Sequence, residues 1–177
     1  MADKAVAMAQ DGVKNIVVLG VDFMSENVRA VLDAAGFKDV NVYRATSDEI
    51  GCSLAESADT QTYRNWLRKA STYPNPLHVV YINTSLLTKA RSHHLVPTIT
   101  CTSSNVVRTI LTAFAQVEDL NIFYGPDSYM GDNIKTLLKS ASTWTDEQVA
   151  KLHPDHTAHS IATLLPRACV NLNNRIL

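Results

Sequence analysis

The chain has 177 residues, 46% hydrophobic and 19% charged, a balance typical of one good-sized folded domain or two small ones. The formal net charge of −1 gives no overall basic field for nucleic acid, and the longest apolar runs are too short to span a bilayer. Three cysteines without a visible export signal favour reduced thiols, in a core or on a metal, over a disulfide scaffold.

Strand-like and helix-like segments alternate through the first half of the chain. Gly12 and Gly36 each follow a helical pattern and are predicted to end it. Ser25 is predicted to cap the second helix, and Asp22 and Glu26 only to support its start. The predicted elements are a helix over 1–12, a strand over 16–20, a helix over 25–37, a strand over 40–44 and, after a loop, a helix over 62–71.

The second half continues the alternation. The predicted elements are a strand over 78–83, a helix over 84–94, an extended run over 96–104, a helix over 104–117, a strand over 121–125, a helix entered from a loop after 125, and a helix that Thr145 caps. Alternation of this density favours parallel strands with helices on both faces of the sheet. The fold class is therefore α/β.

Ligands bind outside the carboxyl ends of the strands in such folds. Polar, small and thiol-bearing residues gather at all five predicted strand ends, in GVDFM, IGCS, YINTS, CTSSN and GPDSYMG. The strands themselves carry few groups capable of chemistry. A functional site is therefore predicted at this edge.

The cysteines have different surroundings. Cys52 follows a glycine in a loop at a strand end, and its residues alone leave open a buried small hydrophobe or a functional thiol. Cys101 is predicted to be a buried structural thiol, and Cys169, in the C-terminal tail, has no predicted role. The sequence contains no self-contained zinc motif.

Three polar segments can contact a ligand or serve the backbone. Tyr81 and Asn83, two residues apart, are predicted to share one side of a strand, where they either address a small polar ligand or pack and close a turn. Ser103 or Ser104 either caps the next helix or lies where the helix amino terminus binds an anion. Asp127 is a cap or a ligand contact.

Three histidines, His153, His156 and His159, recur at every third position. Pro154 interrupts a regular helix there, so an exposed surface is a better interpretation than a shared metal face. The same surface interpretation applies to His93 and His94.

Five segments, in order and suitably separated, resemble the quinolinate synthase family in its plant and algal form: VLGVDFMSENV, IGCSLAE, VVYINTS, TITCTSSNVV and FYGPDSYMG. The resemblance implies three-layer α/β/α domains with short parallel sheets, arranged about a pseudo-threefold axis. On that pattern residues 1–55 are the remainder of the first domain, 56–167 form the second, and 168–177 are a divergent tail. The start of the first domain and the whole third domain are then lacking.

The resemblance also implies an activity. The family condenses iminosuccinate with dihydroxyacetone phosphate to quinolinate in NAD biosynthesis, using as Lewis acid a [4Fe-4S] cluster held by three cysteines, one from each domain. Cys52 matches the first-domain ligand, and Tyr81, Asn83 and Ser103 match substrate-contacting residues. Cys101 is not a ligand in this pattern. No catalytic acid or base is assigned in this segment.

Partners and location follow from the same resemblance. It implies two small-molecule substrates and a functional link to the aspartate-oxidising enzyme that supplies iminosuccinate, and a homo-oligomer is expected. The expectation of neither a nucleic acid nor a membrane partner comes from the net charge and the short apolar runs. The resemblance implies a plastid location, whereas composition alone indicates a cytoplasmic protein. Because one thiolate cannot hold a cubane cluster, the isolated chain is expected to be inactive. The alternatives are a non-catalytic truncated fragment and an α/β module that binds a dicarboxylate or a triose phosphate.

Overall fold

Short parallel strands alternate with helices through residues 2–168, the part of the chain that the computed structural model describes. Residues 169–177, which include Cys169 and all but the first residue of the predicted tail, lie outside these residues. The chain divides into two units, Met1–Glu56 with Asn83–Leu86, and Ser57–Ile82 with Leu87–Leu177. The α/β fold class is confirmed, while the domain limits implied by the family resemblance stay predictions. No helix in the described part is long and apolar enough to cross a membrane.

The first unit contains a parallel pair of strands. Its elements are α1 (Ala2–Gln10), β1 (Asn15–Val18), α2 (Asp22–Ala34), β2 (Asn41–Arg44) and the start of α3 (Ser53–Ala58). In the pair, Ile16 lies opposite Val42. Both α1 and α2 pack on the face of β1 that carries Ile16 and Val18, while Val17 on the other face is exposed.

In the first unit, α1 and α2 each end shortly before a glycine. Gly12 and Gly36 have φ angles of 89° and 88°, a left-handed conformation that favours glycine, and they follow α1 and α2 as predicted. The predicted cap at Ser25 is wrong, because α2 begins at Asp22. Ser25 lies in the first turn, and its hydroxyl donates to the carbonyl oxygen of Asp22 (2.8 Å).

The second unit has a three-stranded parallel sheet in the order β4-β3-β5. Its elements are α4 (Gln61–Ala70), β3 (Pro76–Tyr81), α5 (Leu86–Leu95, whose first residue belongs to the first unit), β4 (Thr98–Cys101), α6 (Val106–Gln116), β5 (Asn121–Gly125), α7 (Ser128–Ala141), α8 (Asp146–Leu152), α9 (Ala158–Leu164) and a 3-10 turn (Leu165–Arg167). The sequence did not predict α3 or α9, both of which are short.

Helices cover both faces of this sheet, because successive residues of a strand point to opposite sides. Ile122 and Tyr124 of β5 share a core with residues of α6, α7, α8 and α9. Phe123, between them, packs with Tyr63 and Leu67 of α4. The second unit is therefore a three-layer α/β/α sandwich.

The prediction that His153 and His156 lie on the surface is wrong, since they are only 5% and 6% exposed. His153 Nε2 lies 3.0 Å from Thr112 Oγ1, and His156 Nε2 lies 2.8 Å from the carbonyl oxygen of Leu111. The two rings thereby tie the segment between α8 and α9 to α6. His159 is exposed, as are His93 and His94, in agreement with the prediction.

A buried polar pair joins α4 to the central strand. Tyr63 Oη lies 2.7 Å from His78 Nε2, and both side chains are fully buried. His78 Nδ1 lies 3.3 Å from Thr98 Oγ1 on the neighbouring strand. Gly125 leaves room for this arrangement, because a β-carbon there would come within 2.6 Å of Tyr63 Oη. Burial lowers the pKa of His78 to about 3 and raises the pKa of Tyr63 well above its ordinary value.

The lowered pKa of His78 predicts an acid-sensitive stability. Between the ordinary pKa of 6.5 and the folded value of about 3, the unfolded chain takes up a proton that the buried ring does not. This residue alone should lower the free energy of unfolding by about 1.4 kcal/mol per pH unit as the pH falls through that window. Urea titrations from pH 7 to pH 4 should show a flatter profile for His78→Gln. The exposed-site control His94→Gln should keep the wild-type slope, and an unchanged slope in His78→Gln would contradict the prediction.

Candidate functional site

The second unit brings three of the predicted polar segments to one edge of its sheet. Tyr81 is the last residue of β3, and it lies opposite Cys101, the last residue of β4. Ser103 follows β4 by two residues, and Asp127 follows β5 by two residues. Because the three strands are adjacent and parallel, their carboxyl ends point the same way. Tyr81, Ser103 and Asp127 therefore lie at the carboxyl edge of the sheet, where the sequence predicts a functional site.

In the turn after β4, the polar side chains form hydrogen bonds with one another, except for one serine hydroxyl. The Asn105 side-chain oxygen accepts from the Thr102 backbone N–H (2.7 Å), and the Thr102 and Ser104 hydroxyls lie 2.9 Å apart. Ser103 is exposed, and its hydroxyl makes no hydrogen bond within residues 2–168. The predicted cap at Ser103 or Ser104 is wrong, since Asn105 holds the N-cap position of α6.

Asn83 does not extend the central strand, contrary to the prediction that it shares a strand face with Tyr81. The strand ends at Tyr81, and residues 82–84 form a bend. Just beyond the strand end, the Ile82 N–H donates to the carbonyl oxygen of Cys101 (2.8 Å), and Lys89 Nζ donates to the carbonyl oxygen of Ile82 (2.9 Å). The division between the units falls directly after Ile82, so Tyr81 and Asn83 belong to different units. The Asn83 amide is partly buried and makes no hydrogen bond within the described residues.

Two residues at the edge of the sheet serve the fold. Cys101 is 1% exposed, and burial raises its thiol pKa to about 12, so it stays protonated at neutral pH. This confirms the prediction of a buried structural thiol. Asp127 caps α7, where its Oδ1 accepts from the Met130 backbone N–H (2.9 Å). The cap interpretation of Asp127 is thus confirmed.

In the first unit, Cys52 lies on a loop that leads directly into α3. Its carbonyl oxygen accepts from the Glu56 backbone N–H (2.9 Å), and its free thiol is partly exposed. The thiol is therefore reachable, unlike that of Cys101.

Asp22 holds this loop in place, a role that the sequence did not reveal. Its backbone N–H donates to the carbonyl oxygen of Ile50 (3.0 Å), and its Oδ2 accepts from the Ile50 N–H (3.2 Å). Its Oδ1 lies 2.5 Å from Arg44 Nη1, at the end of β2. The available signal was an acidic and a basic residue following successive strands, whose ends meet once the strands pair in parallel.

A family model described as Quinolinate synthetase A protein matches residues 1–169. The chain belongs to the quinolinate synthetase A family. Among curated relatives, a protein of Oryza sativa named "Quinolinate synthase, chloroplastic" is 61% identical over 94% of this chain. A Nicotiana tabacum protein of the same name is 63% identical over the same share. An archaeal quinolinate synthase of Sulfurisphaera tokodaii is 30% identical over 75% of this chain.

The chain spans about a quarter of the length of the plant relatives it matches, 24% of the rice protein and 23% of the tobacco protein. It covers 37% of the archaeal protein. The match to the plant proteins extends over 167 residues and includes every segment on which the resemblance was based.

The cluster that membership of the quinolinate synthetase A family implies needs more ligands than the described residues bring together. No group of three or more His, Cys, Asp or Glu side chains within residues 2–168 is placed to hold a metal ion. Cys52 is the reachable thiol, while Cys101 is buried and protonated. Residues 2–168 therefore offer one reachable thiol and do not by themselves complete a metal site.

Loss of the Asp22 side chain should loosen the loop that carries Cys52. Asp22→Ala removes the acceptor for the Ile50 N–H and the partner of Arg44, which should weaken local protection by about 1 kcal/mol or more. Hydrogen exchange of the peptide over 47–53 should accelerate about five- to tenfold. Asp33→Ala is the matched control, because Asp33 pairs with Arg29 on the same helix at 2.9 Å and leaves the loop untouched. Equal exchange in the two variants would refute this role of Asp22.

Proposed function

We propose that the chain acts in the quinolinate synthase reaction, the condensation of iminosuccinate with dihydroxyacetone phosphate to quinolinate for NAD biosynthesis. The observation that carries this proposal is the family match over residues 1–169, with 61–63% identity to plant proteins named quinolinate synthase. The reaction belongs to the transferases and eliminates phosphate and two waters.

Three neutral side chains are the proposed substrate contacts. The Ser103 hydroxyl and the Asn83 amide make no hydrogen bond within the described residues and are available as donors to a carboxylate. The Tyr81 phenol ends the central strand and adds a third donor. Uncharged donors hold the carboxylates of a dicarboxylate by hydrogen bonds without adding a fixed positive charge to the site. Their proposed role is to bind and orient iminosuccinate.

The amino terminus of α6 supports anion binding beside Ser103. This helix has 11 residues, and its backbone dipole places partial positive charge at the turn that carries the serine. A phosphate or carboxylate of either substrate is stabilised in such a position. The Asn105 side-chain oxygen accepts from the Thr102 backbone N–H (2.7 Å), which orders this turn.

Cys52 is the proposed ligand that this chain contributes to a [4Fe-4S] cluster. Its thiol is partly exposed on a loop fixed by Asp22, so a ligand there is positioned before metal binds. When bound, the cluster supplies a Lewis-acidic iron with an open coordination position. The further ligands must come from outside the described residues, either from other parts of the chain or from a partner.

The proposed location is the plastid, because the rice, tobacco and Arabidopsis relatives are named chloroplastic. The proposed partners are the two small-molecule substrates, with a functional link to the enzyme that oxidises aspartate to iminosuccinate and self-association of the chain. Self-association would also provide further thiols for a shared cluster.

Anaerobic reconstitution with iron and sulfide tests the role of Cys52. Because the proposed self-association supplies further thiols, the wild-type chain should retain iron and inorganic sulfide. Cys52→Ser should lose most of both, and the buried-thiol control Cys101→Ala should bind as the wild type does. Quinolinate formation from iminosuccinate and dihydroxyacetone phosphate, followed by mass spectrometry, should parallel the iron content. Equal iron in the wild type and Cys52→Ser would refute Cys52 as a ligand.

A second candidate function is binding of the same substrates without turnover. It is favoured by the contrast between the unpaired Ser103 and Asn83 side chains and the incomplete ligand set of the described residues. A chain of this kind would bind a dicarboxylate or triose phosphate and release it unchanged.

Calorimetric titration separates the two candidates. Succinate, as a stable dicarboxylate, and dihydroxyacetone phosphate should each bind the wild-type chain. Ser103→Ala and Asn83→Ala should each raise the dissociation constant about fivefold to tenfold, which corresponds to the loss of one neutral hydrogen bond. Ser104→Ala is the control, because its hydroxyl lies 2.9 Å from that of Thr102 and is already engaged. Binding without quinolinate formation would establish the second candidate, and unchanged affinity in both test variants would refute the proposed contacts.

A further inference from the structure

A small cavity of about 10 Å³ lies between α4 and α5 in the second unit. This volume holds one oxygen atom of a ligand or one water. Tyr63 and Leu67 of α4 and Leu95 of α5 supply apolar wall. None of Tyr81, Asn83 or Ser103 lines the cavity, so it is separate from the proposed substrate contacts.

Ser92 places an unsatisfied hydroxyl in the cavity wall. The residue is 1% exposed, and its Oγ has no hydrogen-bond partner within the described residues. A buried hydroxyl left in this state destabilises the fold, because it has given up water without replacement. An oxygen atom entering the cavity would accept the Ser92 proton and remove that cost.

Two arginines, Arg64 and Arg91, also contribute to the lining of this cavity. Arg64 is held by hydrogen bonds from Nη1 to the carbonyl oxygen of Asp59 (2.8 Å) and from Nε to Gln61 Oε1 (3.1 Å). Arg91 is exposed and makes no hydrogen bond or ion pair within residues 2–168. The Asp59 carboxylate also lines the cavity and accepts a hydrogen bond from the Thr88 hydroxyl. Two cations against one anion leave the site positively charged.

The surrounding sequence strengthens this field. No aspartate or glutamate occurs from residue 60 to residue 117, a stretch that contains α4, α5 and six basic residues: Arg64, Arg68, Lys69, Lys89, Arg91 and Arg108. Arg108 lies on α6, on the other side of the sheet, so the five basic residues of α4 and α5 are the ones that raise the local concentration of anions near the cavity. The anion-binding character of the cavity is therefore not confined to its lining.

We propose that Arg64, Arg91 and Ser92 bind a phosphate-type oxyanion between α4 and α5. One oxygen of the anion enters the cavity and accepts the Ser92 hydroxyl proton, while the remaining oxygens stay at the mouth and accept from the two guanidiniums. Guanidinium groups suit this geometry because they donate two parallel hydrogen bonds to phosphate oxygens. A bound anion links α4 to α5 and thereby stabilises this layer of the second unit.

Inorganic phosphate is the probe, titrated calorimetrically into the whole 177-residue chain, with chloride balancing the ionic strength. Arg64→Gln and Arg91→Gln should each raise the dissociation constant for phosphate about tenfold or more, and Ser92→Ala should raise it about fivefold. Arg68→Gln is the matched control, since Arg68 lies on the same helix but does not line the cavity. Circular dichroism checks that each variant is folded. Acetate, titrated in parallel, distinguishes a carboxylate from a tetrahedral oxyanion.

An equal loss in Arg68→Gln would show that phosphate is held by overall charge, and would overturn the proposed site. Absence of phosphate binding to the wild type would overturn it as well, as would tighter binding of acetate than of phosphate. These outcomes are separate from those of the substrate proposal, because neither Ser103 nor Asn83 lines the cavity. Phosphate bound beside Ser103 would be lost in Ser103→Ala and kept in Arg64→Gln and Arg91→Gln, whereas phosphate bound between α4 and α5 would show the reverse pattern.

Discussion

The parallel pairing of β3 with a strand on each side is the constraint on which the candidate site depends. Because β4 and β5 run in the same direction as β3, the segments after all three strands emerge at one edge of the sheet. Tyr81 and Ser103 lie far apart along the chain and meet at this edge only through that pairing. The pairing in turn requires the central strand to be covered on both faces, which the helices of the second unit achieve.

One covering layer is secured by a polar contact inside the core. The Tyr63 hydroxyl and the His78 ring satisfy each other at 2.7 Å with no exposure to solvent. Burial without this hydrogen bond would cost free energy on both side chains, so the pair selects the packing in which α4 lies over the His78 side of β3. Gly125 completes the arrangement by leaving space for the phenol. The same layer supplies the walls of the proposed oxyanion site.

In the turn after β4, most polar groups form hydrogen bonds within the turn, and one is available to a ligand. Thr102, Ser104 and Asn105 bond to one another, and Cys101 is buried below them with a protonated thiol. Ser103 is the member of this run whose hydroxyl has no partner among the described residues. The turn is therefore already ordered, which would reduce the entropy lost if the proposed substrate binds there. In the first unit Asp22 performs a comparable task for the loop of Cys52.

Local patterns in the sequence determined the order of the main elements, the glycine ends of α1 and α2, the caps at Asp127 and Thr145, and the segments that identify the family. These features depend on residues close together in the chain, where backbone conformation and capping act. Tertiary structure alone decided the burial of His153 and His156, the end of β3 before Asn83, and the hold of Asp22 on the Cys52 loop. Two of these depend on a partner from a distant segment: Thr112 and Leu111 on α6 for the histidines, and Ile50 for Asp22. Periodicity along the chain carries no information about such partners until the strands pair and the helices pack.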